Sequence, residues 1–125
     1  MNRAVDRDVG IRDDDPTLAE IVRQLIDTYQ PERIYLFGSK ARGDAGPDSD
    51  YDLLIVVPDD APPERRDSKL AYRVLWETGA AADVIVWERS RFDRRSRVVC
   101  SLPATVLREG RVLYDPFASR VLCDN

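Results

Sequence analysis

The sequence predicts an α+β domain, a small mixed β-sheet backed by helices. Three observations predict it. The chain has 125 residues, 43% of them hydrophobic and 34% charged, which suits one packed domain and is too small for two. Its apolar runs are short and β-branched, as strands require. Between them lie stretches with helical periodicity, in the order α-β-β-α-β-α-α-β.

Residues 1–15 are charge-rich and lack periodicity, so they read as a loose arm ahead of a folded domain spanning 16–125. Asp15-Pro16 supplies an N-cap with proline at the first helical position, and Thr17-x-x-Glu20 offers a competing capping box. Leu18, Ile21, Val22, Leu25, Ile26 and Tyr29 then form one apolar stripe, which Pro31 terminates. Arg33–Phe37 reads as a short strand running into Gly38-Ser39. Tyr51–Val57 is apolar on both faces and reads as a central strand. A helix is expected from Glu64 to Gly79, with Leu70, Val74 and Leu75 inward and Gly79 as its stop. Asp83–Trp87 is the third strand. An arginine-rich helix over 88–98, a helix over Leu102–Glu109 and a last strand Arg111–Tyr114 complete the order.

Composition excludes several functions. The formal charge of −4 argues against a nucleic-acid partner, whose backbone is normally met by a basic surface. A nucleotide remains compatible, because a divalent cation supplies positive charge locally. There is no histidine, which removes Ser-His-Asp and Cys-His catalysis and His-ligated zinc. Cys100 and Cys123 lie far apart in no metal-binding spacing and read as reduced thiols, with Cys100 buried. The opening residues lack the apolar run of an export signal. No stretch reaches the ~18–20 apolar residues of a membrane span, so no membrane partner and a cytoplasmic location are expected.

The chemistry concentrates in the segment 37–54. Gly38-Ser39 follows a strand and opens a turn, where a glycine lets a phosphate approach the backbone amides and a serine adds a hydroxyl. After ten intervening residues come Asp50 and Asp52. Alternate residues of a strand share a face, so the two carboxylates project in parallel. Oxygen donors without histidine suit Mg²⁺ rather than zinc. Asp83 stands at the head of the third strand, and if the strands are neighbours it joins the pair. Clustered carboxylates repel one another unless cations lie between them. Two ions would resolve the repulsion and create the arrangement for in-line phosphoryl or nucleotidyl displacement. Gly-Ser or Asp-x-Asp alone is commonplace. The ordered combination arises by chance on the order of once in several hundred chains of this length.

The run GSKARGDAGPDSDYDLLIV resembles the G-S-x10-D-x-D signature of the DNA polymerase β-type nucleotidyltransferases, in particular the minimal nucleotidyltransferases. The resemblance extends from the first helix to the final Leu-Arg-Glu-Gly-Arg-Val-Leu-Tyr segment. It implies the polymerase β-like fold, with Gly38 and Ser39 on the nucleotide phosphates and Asp50 and Asp52 on metal. Asp83 matches the third carboxylate, metal ligand and base for the attacking hydroxyl. Lys40 stands where arginine is common. Minimal members resemble antitoxins that work beside small helical HEPN-type toxins, moving AMP from ATP to a toxin hydroxyl, a tyrosine in the known pattern. The implied cofactor is Mg²⁺, as two ions, and the implied substrate is ATP.

Arg42 is a further nucleotide-binding candidate, with surface pairing to Asp44 or Asp48 as its alternative. Arg89, Arg91, Arg94, Arg95 and Arg97 read as a solvated helix face, with contact to a nucleotide or an acidic partner as the alternative. A domain this small presents one wall of an active site, so its acceptor is expected from another chain in a homo- or hetero-oligomer. Trp87 and Phe92 are candidate anchors for that partner. Two other functions remain open: an antitoxin that neutralises by occlusion, and a small-molecule nucleotidyltransferase that completes its pocket by dimerising.

Overall fold

The computed structural model describes residues 16–42, 50–79 and 81–116. The arm 1–15, Asp44, Asp48 and Cys123 therefore lie outside the described residues. Helix α1 spans Pro16–Tyr29 and strand β1 Arg33–Phe37, followed by the one-turn helix α2, Ser39–Arg42. Strand β2 is Tyr51–Val57, α3 is Lys69–Leu75 and β3 is Ala82–Glu88. Helices α4, Arg89–Arg95, and α5, Leu102–Glu109, precede β4, Arg111–Tyr114.

The strands form one mixed sheet in the order β3-β2-β1-β4. β1 pairs antiparallel with β2 and with β4, and β2 pairs parallel with β3. β2 is central, as its two apolar faces require. Ile34 and Leu36 of β1 join Leu53, Ile55 and Val57 of β2 beneath α1 and α3. The alternate residues Tyr35, Leu54 and Val56 face the other way, against Phe92 of α4 and Val106 of α5. Period-two alternation thus sorts β1 and β2 into two buried faces, and helices cover both.

α1 already includes Thr17, which therefore lies within the helix rather than capping it. The Glu20 carboxylate accepts instead from Arg23 and Gln24 at 2.6 and 2.8 Å. The helix stops where Gln30 turns to φ +47° before Pro31.

Three expectations need correction. The continuous helix over 64–79 is broken into a 3₁₀ turn at Pro63–Arg66, α3, and a second 3₁₀ turn at Trp76–Thr78. Asp67 is extended between the first two, and its carbonyl accepts the buried Tyr29 hydroxyl at 2.5 Å. That tertiary bond removes the carbonyl from any helical ladder. Gly79 does end the segment, at φ +70°. The arginine-rich helix stops at Arg95, whose carbonyl accepts the Ser101 hydroxyl at 2.5 Å. Ser101 also caps α5 by accepting from the Ala104 N–H at 3.2 Å.

The second correction is Cys100, which is exposed in the turn ahead of Ser101 rather than buried. The third is Phe92, which is fully buried and stacks on Tyr35 with ring centroids 5.5 Å apart. It is a core residue, so it is no anchor for a partner. Trp87 is half-buried beneath the Arg91 guanidinium, 4.7 Å from its ring centroid. Arg89 pairs with Glu32 at 3.2 Å and approaches Asp59 at 4.0 Å. Two arginines of the run therefore serve the protein's own surface.

Candidate active site

The candidate residues meet at one end of the sheet because of register. The parallel β2–β3 ladder sets Asp52 directly opposite Asp83. Neighbouring strands lie about 4.8 Å apart, and residues opposite in register project from the same face. The antiparallel β1–β2 ladder sets Phe37 opposite Asp52, so Gly38 is the next residue past that pair. Asp50 lies immediately before β2, exposed, with the strand parity of Asp52.

Gly38 is required by space and by conformation. Its φ is +77°, and a Cβ there would collide with Oδ2 of Asp52 and stand 3.2 Å from its Cγ. The backbone thus passes directly over the carboxylate. A phosphate resting on this turn would lie beside Asp52, the close approach that only a glycine permits. The chain then enters α2, where the Ala41 N–H donates to the Gly38 carbonyl at 3.1 Å. Ser39 and Arg42 begin and end α2, and their side chains lie outside what is described.

Two residues at this end were given no role in the site by sequence reasoning. The Lys40 ammonium sits 4.5 Å from the centroid of the Tyr51 ring, which places a cation beside the strand that carries Asp52. Tyr72, on α3, donates its hydroxyl to Oδ1 of Asp83 at 2.8 Å and lies 3.5 Å from the Val84 N–H. This hydrogen bond to a carboxylate, with some desolvation, holds the phenol pKa above the usual tyrosine value. Periodicity could not find Tyr72, because it lies on the exposed side of its helix and meets the site through the sheet edge.

Among the described residues no three carboxylate or thiol side chains form a preassembled metal cage. Asp52 and Asp83 are adjacent, and Asp50 is one alternation further out. Like charges so placed repel in the absence of a cation. The donors are hard oxygens on a half-exposed margin, with Gly38 leaving room above Asp52. That donor chemistry fits Mg²⁺.

A four-stranded mixed sheet, with the strand–Gly-Ser turn laid against an aspartate of the neighbouring strand, defines the class as a nucleotidyltransferase fold. The comparisons with known proteins agree. The chain belongs to the nucleotidyltransferase domain family, whose model matches residues 16–113. It is 34% identical over 103 residues to a candidate protein adenylyltransferase from Methanocaldococcus jannaschii, covering 81% of this chain and 98% of that one. Two solved structures share the fold at lower identity. One is a toxin–antitoxin complex with AMP-PNP, with a TM-score of 0.53 and 22% identity over 86% of this chain and 78% of that one. The other is the toxin–antitoxin MntA–HpeT with two aspartate-to-glutamate substitutions, with a TM-score of 0.56 and 22% identity over 83% and 77%. No helix among the described residues is long and apolar enough to cross a membrane.

Proposed function

We propose that this protein is a Mg²⁺-dependent adenylyltransferase that moves AMP from ATP to a tyrosine hydroxyl of a HEPN-type toxin, acting in the cytoplasm as its antitoxin. The observation that carries this reading is the register pairing of Asp52 with Asp83 under the Gly38 backbone. Asp50, Asp52 and Asp83 would hold the metal. Bound Mg²⁺ supplies charge neutralisation at the phosphates. Gly38 and Ser39 position the triphosphate through the turn, and Arg42 and Lys40 contribute positive charge beside it. Asp83 accepts the proton of the acceptor hydroxyl. That oxygen bonds to the α-phosphorus as the bond from phosphorus to the bridging oxygen breaks, and pyrophosphate leaves.

The M. jannaschii relative supports protein adenylylation, since its likeness runs over nearly its whole length. The two aspartates substituted in MntA–HpeT are separated by one residue, the spacing of Asp50 and Asp52. The formal net charge of −4 supports a protein acceptor over a nucleic acid.

The test is co-expression with the small helical protein encoded beside it, followed by intact-mass spectrometry of that neighbour. Wild-type protein should leave AMP on a neighbour tyrosine, and Asp52→Asn should not. Neutralisation that survives Asp52→Asn, with no adduct, would establish occlusion instead. An adduct on a small molecule would establish the third function.

A further inference from the structure

Tyr72 sets its hydroxyl on a site carboxylate. Its Oη is 2.8 Å from Oδ1 of Asp83, within the distance at which a general base takes a proton. The residue is 45% exposed, so the hydroxyl is not sealed into the core. α3 is held in place by other residues: Ala71 and Leu75 are its buried contacts. Two other tyrosines, Tyr29 and Tyr35, are committed to the core. Tyr29 is buried, bonded to the Asp67 carbonyl and the Ala71 N–H. The Tyr35 hydroxyl is buried beside Arg33, which donates to it at 3.3 Å.

The contact therefore reproduces, within one chain, the pairing that the transfer reaction needs: a phenol set on the carboxylate that accepts its proton. We propose that Tyr72 is an internal acceptor, and that the protein without its partner adenylylates this residue. The proposal rests on the adenylyl-transfer reading above. In the step, Tyr72 Oη gives its proton to Asp83 and bonds to the α-phosphorus of ATP. The bond from phosphorus to the bridging oxygen breaks, and pyrophosphate departs with its electron pair. ATP is the sole co-reactant, so atoms and charge balance.

The product carries AMP directly over Asp83. An acceptor from another chain then has no access to that carboxylate, so the adduct closes the site. A partner tyrosine arriving first displaces the Tyr72 hydroxyl from Asp83 and takes the AMP itself. Self-modification and partner modification thus compete for one carboxylate.

The experiment incubates the full-length protein alone with ATP and Mg²⁺, then maps the adduct by intact mass and peptide sequencing. A parallel sample contains the co-expressed neighbour. The expected result is one AMP on the peptide carrying Tyr72, lost in Tyr72→Phe and in Asp52→Asn, and reduced severalfold when the neighbour is present. Peptide mapping of the wild type decides the matter even if Tyr72→Phe folds poorly. A self-adduct on a different residue overturns the proposal. So does a labelled neighbour with no self-adduct, which leaves the adenylyl-transfer reading intact and makes Tyr72 a hydrogen-bond prop for Asp83. Label on neither protein overturns both.

Discussion

The two ends of β2 are made of different material and do different work. From Leu53 to Val57 every residue is fully buried, alternately beneath α1 and α3 and against Phe92 and Val106. At the other end Tyr51 and Asp52 are half-buried and Asp50 is exposed. The apolar end cannot slip by one residue without reversing which side chains face which helices. That constraint holds the register, and the register is what sets Asp52 beside Asp83 and under Gly38. The carboxylates depend on the far end for their placement.

The sharpest break of this comparison is at the charged end. Asp83→Asn should lower adenylyl transfer by about 10²–10⁴-fold, as expected for loss of a general base. Its melting temperature should stay near wild type, because relief of the repulsion from Asp52 offsets a weaker hydrogen bond from Tyr72. Single-turnover labelling and a thermal melt check both halves.

At the buried end, Ile55→Ala should do the reverse. It removes a fully buried side chain and should cost about 2–5 kcal/mol in denaturant unfolding. Labelling per folded molecule should stay near wild type as long as the register holds.

Gly38→Ala joins the two ends. The residue's φ of +77° and the collision with Asp52 Oδ2 mean that either the turn or the carboxylate must move. A cost of about 1–2 kcal/mol is expected, together with weaker stabilisation by Mg²⁺ and AMP-PNP in a melt.

Tyr29→Phe is a smaller test, confined to the scaffold. It leaves the Ala71 N–H and the Asp67 carbonyl without the Tyr29 hydroxyl and should cost about 1 kcal/mol, with labelling unchanged.

The smallest effect concerns pH. Tyr29, through burial, and Tyr72, through its bond to Asp83, both have pKa values raised on folding. A raised value contributes stability that is fully present below the unfolded pKa of about 10 and lost as pH climbs through the folded values. The melting temperature should therefore be insensitive to these groups at neutral pH and fall above about pH 10. In Tyr72→Phe that alkaline decline should be shallower.

Much of this was legible in the sequence because it rests on local rules. Strand periodicity gave β1, β2 and β3, proline and glycine marked their neighbours' ends, and Gly38-Ser39 and the Asp50–Asp52 spacing stood out as a chemical pattern. An absence of histidine and a negative charge limited the chemistry to oxygen ligands. Contacts between distant segments decided the rest. The Tyr29 hydroxyl took the Asp67 carbonyl and broke the expected helix over 64–79. Phe92 left the arginine face to stack on Tyr35, since it is the one large apolar residue that α4 has to bury. Tyr72 reached Asp83 across eleven residues and a sheet edge. Local propensity acts over a few residues, whereas each of these outcomes depends on which surfaces pack together. The sequence by itself determined the kinds of chemical group present and the strand that carries them. Only the tertiary structure determined that Asp83 stands beside Asp52, and that a tyrosine of the same chain rests on it.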